Sequence, residues 1–134
     1  MTDVSRSKVR VAIFDDSDFI ISAYRSKLNG KANVVTSESI TTVQSAIEIF
    51  EREFPDIVVT DLCLTPGHTE GVDILREIKR LCPWIPVALS TSVWPGTDPD
   101  TFQRIHDAHF DLIFQKADLI NLRKFVYQNL RSQP

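Results

Sequence analysis

Five side chains carry the chemistry open to this chain, and each follows a short apolar run. Asp15 and Asp16 follow residues 8–14, Asp61 follows Ile57-Val-Val-Thr60, Thr91 follows Val87-Ala-Leu-Ser90, and Lys116 comes just after Leu112-Ile-Phe114. Runs of this kind read as strands buried on both faces. Carboxylates brought within a few ångströms of one another repel, so a proton or a divalent cation has to sit among them. Oxygen ligands with no His or thiolate side chain among them select Mg2+ over Zn2+. Mg2+ favours one or two carboxylates plus phosphate oxygens, and the Lys116 ammonium and Thr91 hydroxyl suit those same oxygens. An aspartate can also attack a phosphoryl donor and carry the group as an acyl phosphate. Asp61 stands alone at its strand end and is the candidate nucleophile; the adjacent Asp15 and Asp16 are better used on metal.

For the five groups to meet, their strands must run parallel in one sheet, with all carboxyl ends on one edge. The sequence between them supplies the crossovers. Phe19, Ile20, Ala23, Tyr24 and Leu28 recur at helical spacing, with Ser17 as cap and Gly30 as stop. Residues 33–36 read as a weak second strand. Ser39 or Thr41 opens a helix striped by Val43, Ala46, Ile47, Phe50 and Phe54, which Pro55 ends. A turn-rich loop, 65–71, leads to a helix with the stripe Val72, Leu75, Ile78 and Cys82, stopped by Pro83, which makes Cys82 a core thiol. Pro86 is tolerated at the start of the fourth strand. After it come a long loop, a short polar helix over 101–108, the fifth strand, and a last helix. Asp118 caps that helix, and Leu119, Leu122, Val126 and Leu130 face inward. This alternation predicts an α/β fold with a parallel sheet covered on both faces.

Composition narrows the function. The 134 residues make one domain, and 43% apolar with 25% charged residues opposes disorder. A net charge of −3 excludes the broad basic surface that nucleic-acid binding demands. No apolar run is long enough to span a membrane. Cys63 and Cys82 cannot build a disulfide framework, and the polar start lacks an apolar targeting segment, so a reducing, cytoplasmic setting is expected. Neither Gly-x-Gly-x-x-Gly nor a P-loop occurs, so no backbone cradle for a nucleotide is expected. His68, His106 and His109 have no partner at metal spacing and read as surface residues. Trp84 reads as packing at a strand edge, and Trp94, beside Pro95, as a contact point or a loop anchor.

Taken in order, Asp15-Asp16, Asp61 in Ile-Val-Val-Thr-Asp-Leu, Thr91 in Pro-Val-Ala-Leu-Ser-Thr-Ser and Lys116 in Phe-Gln-Lys resemble the receiver domain of two-component response regulators, of the chemotaxis type. The resemblance covers residues 8–131, with 1–7 as a disordered lead-in and 132–134 as a tail. It implies a flavodoxin-like (βα)5 doubly wound sheet with strand order 2-1-3-4-5. It implies that Asp61 accepts a phosphoryl group from a histidine kinase or histidine phosphotransfer protein, as a phosphoacceptor and not a turnover enzyme. Mg2+ would be held by Asp16, Asp61 and the backbone carbonyl of Cys63, with Asp15 helping through water. Lys116 would pair with the phosphoryl oxygens. Thr91 would swing onto one of them and report to the surface of the fourth helix, fifth strand and fifth helix. A homodimer through that surface could use Asp107, Asp111, Arg123 and Lys124. Direct nucleic-acid or membrane binding by this domain is not implied.

Four features depart from the family pattern. The loop after Asp61 is longer than usual, which displaces Pro66. Ala117 replaces a proline that often follows a cis bond; a cis bond before alanine costs about 3–4 kcal/mol, so trans is expected. Ile113 takes the place of the switch aromatic and is its possible substitute. Cys63 and Val93 stand where an attacking water is usually oriented. Two other readings stay open: a pseudo-receiver acting only as an interaction module, and a haloacid-dehalogenase-like phosphatase built on Asp16-x-Asp18, which leaves Asp61 without a role. Because neither Cys63 nor Val93 positions water well, the phosphoryl group on Asp61 is expected to persist for minutes or longer. Its decay after loading, followed in excess EDTA, checks this; complete loss within seconds refutes it.

Overall fold

A computed structural model describes residues 8–92, 99–116 and 118–131, with side chains up to 129. Five strands alternate with five helices: β1 (Val9–Phe14), α1 (Asp18–Leu28), β2 (Ala32–Val34), α2 (Val43–Glu53), β3 (Ile57–Asp61), α3 (Glu70–Leu81), β4 (Val87–Thr91), α4 (Pro99–Ala108), β5 (Leu112–Gln115) and α5 (Leu119–Arg131). The sheet is wholly parallel, in the order β2-β1-β3-β4-β5, the flavodoxin-like arrangement. The strand order reverses at β1, and the crevice beyond that reversal is where such sheets place ligands.

Register sets the site. Phe14 pairs with Thr60, Asp61 with Ser90, and Thr91 with Gln115. One residue further along β1 and β5 come Asp15 and Lys116, so all the chemically active residues share one rim.

The central strands β1, β3 and β4 are buried on both faces, which explains their unbroken apolar character. On one face Val11, Ile13, Val59 and Phe114 pack against Tyr24 and Leu28 of α1 and Leu122, Phe125 and Val126 of α5. On the other, Ala12, Phe14, Val58 and Val87 meet Ala46, Ile49 and Phe50 of α2 and Ile74, Leu75 and Ile78 of α3. Each Val, Leu, Ile or Phe among them contributes about 1.5–3 kcal/mol by leaving water.

Several details differ from the sequence reading. The α1 stripe is rotated: Ile21 is buried, while Phe19 is 78% exposed. α2 is capped by Thr42, one residue after Thr41 and three after Ser39, and the Thr42 hydroxyl accepts from the Ser45 amide at 3.1 Å. Ser39 instead donates its amide to Asp18 at 3.0 Å. Phe54 lies beyond α2 as a left-handed cap with φ 47° and is 73% exposed, so it leaves the stripe. Pro55 behind it has no amide to continue the helix. Cys82 ends α3 as a half-buried cap residue at the edge of the second core cluster, not deep in it. Trp84 points outward, 76% exposed, and does not pack on the strand edge. α4 begins at Pro99, a residue suited to a first helical turn. Asp118 caps α5, accepting from the Asn121 amide at 3.1 Å, and Phe125 joins the buried stripe. Val93, Trp94, Pro95, Ala117, the side chain of Leu130 and the segments 1–7 and 132–134 lie outside the described residues.

One buried polar contact ties α1 to the active edge: the Tyr24 hydroxyl and Ser90 Oγ lie 2.7 Å apart. Ser90 precedes Thr91, so this bond anchors the end of β4. Replacing Tyr24 by Phe is expected to cost about 1–2 kcal/mol by stranding the serine hydroxyl. Chemical denaturation of Tyr24→Phe, Ser90→Ala and the double variant checks it: the double variant should lose less than the sum of the singles.

Candidate functional site

Asp61 is the last residue of β3, and the chain after it folds back over its own backbone. The Gly71 amide donates to the Leu62 carbonyl at 2.9 Å. A Cβ on Gly71 would stand 2.3 Å from the Asp61 carbonyl oxygen and 2.8 Å from Leu62 Cα, so only glycine fits there. Glu70 organises the loop between them. Its carboxylate accepts from the amides of Leu64 at 3.0 Å and Thr65 at 3.4 Å, and from the Thr65 hydroxyl. Those bonds hold it below the usual carboxylate range even though burial opposes them. The sequence reading placed Gly71 in the loop only as a turn former and gave Glu70 no part. Both parts rest on contacts made in three dimensions, which no local pattern signals.

Across the rim, Asp15 is buried; its carboxylate accepts the Ser17 amide at 2.9 Å and its carbonyl the Ile40 amide at 2.8 Å. Asp16 is half-exposed. The Lys116 amide donates to the Thr91 carbonyl at 2.9 Å, locking the end of β5 to the end of β4. Its ammonium then reaches over the acids: Nζ lies 2.9 Å from Asp61 Oδ2, 3.5 Å from Asp15 Oδ2 and 3.9 Å from Asp16 Oδ1. One oxygen from each of Asp15, Asp16 and Asp61 lies within 4.8 Å of the others.

One ammonium does not balance three carboxylates. Burial, followed by repulsion from Asp61, pushes the Asp15 carboxyl up to about 6, against the opposing Ser17 amide and Lys116. Asp61 is also raised, again chiefly by burial, although the Lys116 hydrogen bond and the Cys63 amide favour its anion. Burial works against the charge on Lys116, but its bond to Asp61 and the other two acids prevail and raise it. Burial and the charges of Asp61 and Glu70 raise the Cys63 thiol, so it is no reactive thiolate. The surplus negative charge and the all-oxygen donor set are what a hard divalent ion such as Mg2+ requires.

The remaining sequence candidates fall as follows. Thr91 is buried at the same edge. Ile113 is 38% exposed, on the opposite side of β5 from buried Phe114. Asp18 is outside the acidic cluster and bonds the Ser39 amide, so the Asp16-x-Asp18 pair does not converge as a phosphatase nucleophile motif would. Asp111 is engaged within its own chain, accepting from Lys79 Nζ at 3.0 Å and the Val87 amide at 2.7 Å. His68, His106 and His109 are exposed, as their spacing suggested.

A family model of the response regulator receiver domain matches residues 11–126. Among solved structures, the chain is similar to the isolated receiver domain of RcsB from Salmonella enterica serovar Typhimurium, solved in the presence of the phosphomimetic BeF3−. The TM-score is 0.73 at 19% identity, over 94% of this chain and 91% of that one. It is similar to a LuxR-family DNA-binding response regulator from Staphylococcus aureus, with TM-score 0.70, 21% identity, and coverage of 91% and 98%. It also resembles the BeF3-activated DrrB receiver domain, with TM-score 0.70, 22% identity, and coverage of 94% and 99%. At these identities the likenesses speak for the fold. No curated protein matches significantly. Among the described residues no helix is long and apolar enough to cross a membrane.

Two outcomes are expected from this geometry. Gly71→Ala forces the Asp61 backbone aside and should cost about 1–3 kcal/mol in urea denaturation, while slowing any reaction at Asp61. The second concerns pH. The folded chain holds the Asp15 proton more tightly than the unfolded one, so the metal-free contribution to stability is greatest below about pH 4. It is lost as pH rises through about 6. Mg2+ should therefore raise the melting temperature more at pH 8 than at pH 5. Asp15→Asn should raise the metal-free melting temperature at pH 8 and blunt the response to Mg2+. Equal Mg2+ shifts at both pH values would contradict the charge account.

Proposed function

The chain belongs to the response regulator receiver family, and from that premise we propose that Asp61 is the phosphoacceptor of a two-component signalling pathway. The observation that carries this reading is the Lys116 ammonium, 2.9 Å from Asp61 and within reach of both other acids. A carboxylate oxygen of Asp61 attacks the phosphorus of a phosphohistidine on a histidine kinase or phosphotransfer protein. The P–N bond breaks, and its electron pair returns to the imidazole. The product is a mixed anhydride whose three phosphoryl oxygens need cationic and donor partners.

Asp16, Asp61 and the Cys63 carbonyl would hold Mg2+, with Asp15 behind them. The ion, when bound, neutralises the charge that gathers on the phosphoryl oxygens. Lys116 supplies the second positive charge, with its backbone held by the hydrogen bond its amide donates to the Thr91 carbonyl. Thr91 closes onto a phosphoryl oxygen and draws on β4. The change passes to the surface of α4, β5 and α5, where Ile113 stands in for the family's switch aromatic. Residues 8–131 form the receiver unit, a cytoplasmic phosphoacceptor with slow self-dephosphorylation, and a homodimer through α4, β5 and α5 remains part of this reading. Arg123 and Lys124 are exposed on α5. Asp111, bound to Lys79, would first have to exchange partners.

Acetyl phosphate with Mg2+ tests the proposal by intact-protein mass spectrometry. The expected result is a gain of about 80 Da, one phosphoryl group, abolished by EDTA and by Asp61→Asn. An equal gain in Asp61→Asn, or none in the wild type at saturating donor, overturns it. The second outcome is what a pseudo-receiver would give. Steady turnover of p-nitrophenyl phosphate would point to the phosphatase reading.

A further inference from the structure

The surface between α1 and α5 carries a feature that phosphoryl chemistry does not use. No Asp or Glu occurs in 19–37 or after Asp118, in a chain whose net charge is −3. Five of its cations, Arg25, Lys27, Lys31, Arg123 and Lys124, stand in those stretches with described side chains. Between the helices runs a groove of about 450 Å3, lined by Lys27, Ile120, Arg123, Lys124 and Tyr127. It is continued by a hollow of about 540 Å3 that Lys31 borders. α1 spans about 16 Å, so Lys27 in its last turn is about two turns from the acidic rim.

A structural explanation covers part of this. Arg25 and Lys27 lie in the last turn of α1, where they suit the helix dipole. Arg123 and Lys124 do not: they fall beyond the first turn of α5, and neither has a carboxylate at i±3 or i±4. Between these cations Ile120 is 67% exposed and Tyr127 half-buried, one heptad apart on the same helix face.

We propose that this groove docks an acidic amphipathic helical segment of a partner protein, with apolar side chains over Ile120 and Tyr127 and carboxylates over Lys27, Lys31, Arg123 and Lys124. An apolar seam flanked by cations on both sides is the complement of such a helix. Stacking of a nucleobase is disfavoured because the Arg123 guanidinium takes one face of the Tyr127 ring, 4.9 Å from its centroid, so a partner meets the part of the ring that lines the groove. The inference does not depend on Asp61 being phosphorylated.

The probe is a synthetic peptide of about 16 residues, about 24 Å as a helix, with Leu at i, i+3, i+4 and i+7 and Glu elsewhere; its control carries Lys for Glu. Fluorescence anisotropy at low salt should show binding of the Glu peptide and none of the Lys peptide, weakening steeply as salt rises. Lys27→Glu with Lys31→Glu, and separately Ile120→Ser, should each weaken binding about tenfold while leaving acetyl-phosphate labelling of Asp61 unchanged. Amide shifts should concentrate in α5 and the second half of α1. The proposal is overturned if the Glu peptide fails to bind, if neither variant weakens it, or if the shifts map elsewhere. It is also overturned if a single-stranded oligonucleotide or phosphatidylserine vesicles bind this face more tightly.

Discussion

Three carboxylates drawn together at the end of a parallel sheet, with one ammonium among them, are the constraint on which this molecule turns. Hydrophobic burial of β1 and β3 forces Asp15 and Asp61 out of water. The Lys116 ammonium offsets part of the cost, and the rest shows as carboxyls that hold their protons too tightly. A site in that condition gains from any added positive charge. It also favours a reaction that places a divalent ion and a phosphoryl group where bare acids stood. The strain and the proposed function rest on the same electrostatics.

The fold serves this arrangement with few parts. Two backbone bonds do most of the positioning: Lys116 to the Thr91 carbonyl, and Gly71 to the Leu62 carbonyl. The first makes the ends of β4 and β5 one unit, so a shift of Thr91 cannot leave Lys116 behind. The second closes the loop beyond Asp61, and the missing Cβ at residue 71 lets it approach so closely. Tyr24, reaching Ser90 from α1, adds a third fixed point under the same edge.

Much of this was legible in the sequence because burial on both faces leaves an unmistakable mark. The continuous apolar runs gave β1, β3, β4 and β5, and the polar residue following each gave the rim, since charge cannot stay inside a two-sided core; β2, read as a weak strand over 33–36, lies at Ala32–Val34. Helix faces were less legible. In α1 both Phe19 and Ile21 are apolar, and periodicity over one short helix could not tell which points inward. Phe54 and Trp84 are exposed for reasons of backbone geometry, one before Pro55 and the other in the turn after Pro83, which hydrophobicity does not register. The part played by Glu70 depends on loop conformation, and the close approach at Gly71 on a distance between segments that no local pattern encodes.

Borohydride reduction of the phosphorylated protein, followed by peptide mapping, reaches the central claim most directly. An aspartyl phosphate is reduced to the alcohol and leaves homoserine in its place, whereas a free carboxylate or a phosphohistidine does not. The account requires homoserine at position 61 and nowhere else. Homoserine at 15 or 16, or phosphate recovered with no reduced residue, would contradict it.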